Sequence, residues 1–224
     1  MEFNPTYSVS KLYQSFDLID RTAHHTIIRF FEDKVEEIKA LEYEEYFKIL
    51  VTYVQALFEI GAYQKHCTMA DVVIEASIIN NVNVFQGINL FEKTLFQKAA
   101  SLYNLQHYSE SIHILTELIK INPTEPNYKA FWIRNQIQRK PPLLRSFQGI
   151  SITLFFLTII MIAIQTFYVE PFRPDYINLM TLGRNYLFLF ATITLVGSDG
   201  FYRLKAIYQV NQLIGRSKEK LKRS

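Results

Sequence analysis

Residues 150–169 read ISITLFFLTIIMIAIQTFYV, a run without a single charged side chain. At ~1.5 Å rise per residue, about 20 helical residues cross a hydrocarbon layer of ~30 Å. The stretch is long and apolar enough to span a bilayer as one helix. A second run, Tyr176 to Ser198, is interrupted by Arg184 and Asn185, yet from Tyr186 to Gly197 it is apolar apart from two threonines. Between the runs lies Glu170-Pro-Phe-Arg-Pro-Asp175, whose prolines remove backbone donors and predict a tight turn that stops both helices. Cations crowd the outer ends. Lys129, Arg134, Arg139, Lys140 and Arg145 precede the first run with no acid after Glu125, and Arg203, Lys205, Arg216, Lys218, Lys220, Lys222 and Arg223 follow the second. The turn carries only Arg173, opposed by Glu170 and Asp175. The preference of Lys and Arg for the cytoplasmic side predicts a hairpin with both of its ends in the cytoplasm.

Ahead of the hairpin there is room for one soluble domain of about 145 residues. Through Phe147 the chain has 15 Lys+Arg against 17 Asp+Glu, so its overall charge of +3 comes from the segments that flank the apolar runs. A nearly neutral soluble part implies no strongly acidic or basic partner. The single cysteine, Cys67, excludes an internal disulfide and suits a reducing compartment. Met1-Glu-Phe-Asn-Pro5 has neither a basic start nor an apolar core, so the hairpin rather than a cleavable leader is expected to drive insertion.

Apolar residues ahead of the hairpin recur at helical spacing. Ile27, Ile28, Phe31, Val35 and Ile38 form one stripe across 22–39, and Phe47, Leu50, Val51, Val54, Leu57 and Phe58 another across 44–60. Within them lies an internal repeat. Leu50, Leu57 and Ile60-Gly-Ala-Tyr-Gln-Lys-His66 align with Leu95, Leu102 and Leu105-Gln-His-Tyr-Ser-Glu-Ser111 at an offset of 45 residues. Each copy has an apolar residue, a turn-forming pair and a tyrosine between two helices. The pattern resembles the tetratricopeptide repeat (TPR), a helix-turn-helix unit of about 34 residues. The second copy carries it best, with Leu95, Ala99, Leu102, Tyr108, Ser111, Leu118 and the closing Asn122-Pro123. The first keeps Leu50, Leu57, Gly61 and Tyr63 but has His66 where a small residue is usual. The excess over the TPR period places an insertion at 80–89, an asparagine-rich stretch suited to turns. Residues 126–137, with Tyr128, Phe131 and Trp132, read as the opening helix of a third unit.

The resemblance implies stacked helix pairs with a concave face that grips a peptide or a partner helix. Carried over by alignment, the groove positions are Val51, Gln55, Phe58 and Glu59 from the first unit, and Lys93, Phe96, Gln97, Ala100, Tyr103 and Asn104 from the second. Val51 and Gln55 stand where a carboxylate clamp would need lysine and asparagine, which argues against capture of a chain terminus. A mixed aromatic and amide groove for another protein partner is implied instead.

Chemistry is sparse elsewhere. His24-His25 and His66-Cys67 make no metal-ligand constellation, and phosphate loops, nucleophile elbows and metalloprotease motifs are missing from the sequence. Glu36-Glu37 and Glu44-Glu45 read as solvated faces, and no catalytic residue, metal or cofactor is assigned. His107 and His113 fall on different faces of the second unit. At the end of the chain Lys218, Lys220, Lys222 and Arg223 fit anionic lipid head groups better than nucleic acid, because they follow an apolar span. Arg184, a third of the way into the second run, is costly in hydrocarbon unless it snorkels or is paired. Gln165 lies at a similar depth on the first run and is its expected hydrogen-bond partner, with a contact to another subunit as the alternative.

The sequence thus predicts an all-α protein: TPR-like antiparallel helix pairs followed by a two-helix transmembrane hairpin. N-terminal helices over 1–42 pack on the repeats, and the TPR-like domain fills 43–140. The hairpin takes 148–200, with spans at about 149–169 and 177–198, and a basic cytoplasmic tail takes 201–224. The expected role is a membrane-anchored, non-enzymatic adaptor or scaffold binding a protein partner. The alternative is a small structural subunit of a multiprotein membrane complex for secretion, motility or transport. Heavy use of Ile, Asn, Lys, Phe and Tyr suits an AT-rich genome, and the short-looped hairpin suits a bacterial inner membrane, with an organellar or reticulum membrane as the alternative.

Overall fold

The computed structural model describes residues 10–80, 84–85, 88–139 and 142–223. Lys140, Pro141, Gly87 and the Asn81-Val-Asn83 part of the expected insertion lie outside the described residues. The chain divides into two compact units, Met1–Tyr128 and Lys129–Ser224. The boundary falls inside a helix and not at residue 140.

The first unit begins with α1 (Lys11–Asp17), capped by Ser10, whose hydroxyl oxygen accepts from the Tyr13 N–H at 3.1 Å. Ser10 donates its own N–H and hydroxyl to the Glu45 carboxylate at 3.0 and 2.6 Å. This corrects the reading of Glu44-Glu45 as a solvated pair: Glu44 is exposed, but Glu45 is buried. The reason is that α4 (Tyr43–Glu59) packs against helices on two sides, α2 (His24–Asp33) and α5 (Tyr63–Ile79). Beside the expected stripe of Phe47, Leu50, Val54 and Leu57 it therefore buries a second, Glu45, Ile49, Tyr53 and Ala56. The expected helix over 22–39 is interrupted. Lys34 leaves the helical region at φ −122°, ψ 24°, and α3 (Val35–Lys39) follows. With that break Phe31 stacks on Tyr53, ring centroids 3.9 Å apart, and Ile38 is also fully buried.

Two helical hairpins follow, α4 with α5, and α6 (Leu90–Asn104) with α7 (Tyr108–Ile121). Their turns are the same structure. In the first, Gly61 takes φ +78°, Ala62 N–H donates to Leu57 C=O at 2.9 Å and Gly61 N–H to Phe58 C=O at 3.1 Å. In the second, Gln106 takes φ +64°, His107 N–H donates to Leu102 C=O at 2.8 Å and Gln106 N–H to Tyr103 C=O at 3.0 Å. Both are Schellman ends, in which a left-handed residue turns the chain and satisfies the last helical carbonyls. The 45-residue offset of the sequence is thus an offset between equivalent hairpins. Between them a two-residue antiparallel pair, Val84–Phe85 with Ile88–Asn89, occupies the insertion, and Asn89 caps α6 by accepting from Glu92 N–H at 3.1 Å. Each helix from α4 to α7 packs on the next. Ser111 is fully buried and donates its hydroxyl to Ala99 C=O at 2.8 Å, which lets α6 and α7 approach closely. His66, its counterpart in the first hairpin, is also fully buried, and its ring instead lies across α6 with Nδ1 2.9 Å from Ser101 Oγ.

α8 (Pro126–Gln138) starts in the first unit and ends in the second. The second unit is dominated by a helical hairpin. Its first arm is α9 (Pro142–Ile164), continued by a π-helical turn at Gln165–Val169 and a last turn, α10 (Glu170–Phe172). Pro171 lies in the last turn of this arm, and the helix ends one residue later at Phe172. The chain reverses at Arg173 (φ −144°, ψ 63°) and a 3₁₀ turn, Pro174–Tyr176. The return arm, α11 (Ile177–Arg223), is one helix of 47 residues that continues past the second apolar run into the basic tail. Between the arms lies a polar seam. Ser151, Thr158 and Gln165, seven residues apart, are buried on the first arm, and Ser151 donates to Thr194 Oγ1 at 2.9 Å. Ala191 is fully buried, Phe155 meets Phe188 edge to face at 5.7 Å, and Gly183 lies close enough to Met161 that an added Cβ would be 3.0 Å from its methyl. The outer surfaces expose Ile152, Phe156, Ile159, Ile160, Phe190 and Ile193. Both arms are long and apolar enough to cross a membrane.

Candidate functional site

The residues assigned to a groove divide into three groups. Val51, Gln55, Lys93 and Gln97 line one cleft between α4 and α6, together with Val54, Val73, Leu90 and Thr94. Lys93 Nζ donates to Gln55 Oε1 at 3.2 Å across it, and the free space is about 10 Å³, room for no more than one water. Phe58 and Tyr103 sit at the two equivalent turns, each against the tyrosine that opens the next helix: Phe58 with Tyr63 at 6.2 Å and His66 at 5.2 Å, Tyr103 with Tyr108 at 5.4 Å. Phe96 packs on Tyr128 at 5.4 Å, and Glu59 and Asn104 end their helices exposed, Asn104 returning its amide to Ala100 C=O. The alignment chose residues at like positions of like hairpins, and packing then used most of the aromatic ones internally.

What remains is a side-by-side set of first helices. The α4 to α6 step is bridged by Gln55 and Lys93. The next step is made by Tyr128 at the start of α8, whose hydroxyl donates to Glu92 Oε2 at 2.9 Å. Burial first, and the neighbouring Glu92 carboxylate second, push the Tyr128 phenol above its ordinary range, so it stays a donor at every physiological pH. Two polar residues that hold this unit together were not singled out by periodicity. Glu45 could have been found by extending the α4 count to a second stripe, and His66 by noting that its repeat partner is the buried Ser111.

Burial raises the Cys67 thiol, which keeps it from being a ready thiolate. Among the described residues no three His, Cys, Asp or Glu side chains converge in a metal-binding group. His107 Nδ1 lies 3.3 Å from Glu110 on the surface, and His113 is exposed.

The hairpin carries the other candidate. Arg184 Nη1 donates to Gln165 Oε1 at 3.4 Å, so the two polar residues of the apolar runs do meet. Gln165 begins the π-helical turn, and its Nε2 reaches Thr181 Oγ1 at 3.3 Å and Glu170 Oε1 at 3.5 Å. A π turn widens the helix locally, and such turns are frequent at functional positions. Lys218, Lys220 and Lys222 are exposed on the last turns of α11, and the Arg223 side chain lies outside the described ones.

No protein-family model, curated protein or solved structure matches this chain.

Proposed function

We propose that the protein is a membrane-anchored, non-enzymatic adaptor whose TPR-like unit binds a protein partner on the cytoplasmic side. One observation supports the anchor above the rest: the two arms of the hairpin expose large aliphatic and aromatic side chains outward while keeping Ser151, Thr158 and Gln165 between them. A water-soluble hairpin has the opposite arrangement, since exposed apolar surface on this scale is otherwise covered. The cations flanking both arms support cytoplasmic ends, and a bacterial inner membrane is the setting that fits them. Equivalent Schellman hairpins and adjacent first helices support kinship with the TPR, and through it a binding face along α4, α6 and the start of α8.

Alkaline carbonate tests the anchor. The full chain should stay with the vesicles, and a tag on Ser224 should be reached only from the cytoplasmic side; extraction, or access only from outside, overturns the reading. Purification in mild detergent with identification of co-purifying chains tests the partner. An adaptor keeps its partner when the chain ends after Pro141. The second reading, a structural subunit of a membrane complex, is favoured by the polar Arg184–Gln165 pair and requires that removing the hairpin disperse the complex.

A further inference from the structure

Arg184 is the one cation of the sequence within the two apolar runs, 150–169 and 176–198, and its hydrogen bonding is incomplete. It lies eight residues beyond Tyr176 and fifteen before Asp199, about 12 and 22 Å along the helix. A guanidinium has five N–H donors in a planar fork that matches a carboxylate. Here Nη1 meets Gln165 Oε1, while Nε and Nη2 both meet Asn185 Oδ1, each at 3.4 Å. All three lie beyond the usual 2.7–3.2 Å range, and every acceptor is a neutral amide. Gln165, the cross-arm partner, already shares its own Nε2 between Thr181 and Glu170, so the Glu170 charge reaches Arg184 only through that amide. Among the described residues no carboxylate lies within ion-pair distance of Arg184. Asn185 beside it is exposed on the outer surface of the arm.

On the membrane reading proposed above, this leaves a charge in hydrocarbon without a countercharge, and intramembrane cations of that kind face another span or a paired acid. We infer that the Arg184–Asn185 face of α11 docks a transmembrane helix of a different chain that carries an Asp or Glu carboxylate at the same depth. Charge complementarity selects the carboxylate, and the fork geometry makes it bidentate. A second copy of this chain lacks it: between Glu125 and Ser198 its only acids are Glu170 and Asp175, both at the turn.

The test reconstitutes the full chain, dye-labelled, in phosphatidylcholine vesicles. Two synthetic Leu/Ala-rich transmembrane peptides are added, identical except for one Glu or one Gln placed at the depth of Arg184. Energy transfer should report about tenfold tighter association of the Glu peptide, as expected when an ion pair replaces a neutral interhelical hydrogen bond. Arg184→Lys should keep much of that preference and Arg184→Gln should lose it. Equal association of the two peptides with the wild-type chain overturns the inference, as does a preference that survives Arg184→Gln. A preference abolished by phosphatidylglycerol overturns it too, in favour of a lipid phosphate at the same guanidinium. Extraction of the chain by carbonate would instead remove the membrane reading, and the inference with it.

Discussion

Acidification from pH 7 to pH 4 should destabilise the first unit by about 3 kcal/mol through His66 alone. The ring is fully buried between α5 and α6, with Nδ1 2.9 Å from Ser101 Oγ and, among the described residues, no partner for the buried Nε2. Burial first, and the charge on Lys98 second, hold its pKa at about 4, against 6.5 for an ordinary histidine. Between those two values the unfolded chain binds a proton that the folded one refuses. Stability therefore falls with falling pH, at ~1.4 kcal/mol per unit, and the loss is complete below the folded pKa. Above pH 6.5 both states are neutral at this site and it contributes no pH dependence. The measured quantity is the difference between wild type and His66→Gln, which retains a polar group for Ser101 but cannot titrate. Hydrogen exchange of the α5 and α6 amides in the full chain, corrected for the intrinsic pH dependence of exchange, reads the opening free energy of this unit. Wild type should lose about 3 kcal/mol more protection than the variant over the window. Parallel pH profiles would refute the argument, because they would mean that the ring is solvated or charged in the folded protein.

Gln106 takes a left-handed conformation that costs a non-glycine residue about 1 kcal/mol, so Gln106→Gly should stabilise the α6–α7 hairpin by about that amount, whereas Gly61→Ala should destabilise the α4–α5 hairpin similarly; thermal unfolding with each variant checks both. Glu45→Ala removes the acceptor for two Ser10 donors and should cost about 1–3 kcal/mol, seen as loss of exchange protection confined first to α1. Gly183→Ala should be tolerated because the methyl of Met161 can move, but Gly183→Ile should force the arms apart and cost about 1–3 kcal/mol in a detergent-unfolding assay. Arg184→Leu and Gln165→Leu, combined in a double-mutant cycle, should show a coupling of about 0.5–2 kcal/mol, while insertion of the single Arg184→Leu chain remains intact; loss of an ion or proton flux on that change would instead favour a transport role.

The helical architecture was legible because two periods are written openly in the chain. Two long apolar runs, the second interrupted at Arg184 and Asn185, pointed to the two arms of the hairpin, and a 45-residue self-similarity pointed to two hairpins that prove to have equivalent turns. The pairing of Arg184 with Gln165 could be anticipated from depth alone, since equal distance from a turn places residues of antiparallel helices side by side. Glu45 required counting a second stripe on α4, because a single stripe describes a helix buried on one face and α4 is buried on two, and the break at Lys34 has no counterpart in the apolar spacing of 22–39. Pro171 falls in the last turn of the first arm, and the reversal follows at Arg173, inside the segment whose two prolines predicted the turn.

The candidate groove marks the division most clearly. Hydrophobic spacing by itself determined the helices that carry Val51, Gln55, Lys93 and Gln97, and the resemblance to the TPR assigned those four residues to a groove. Whether such a face opens toward a ligand or closes on itself depends on the distance between helices, set by side chains far apart in sequence: Ser111 against Ala99, His66 against Ser101, Tyr128 against Glu92. Tertiary packing brought Lys93 onto Gln55 and left about 10 Å³ between them, and no local pattern carries that spacing because it is a property of pairs of helices.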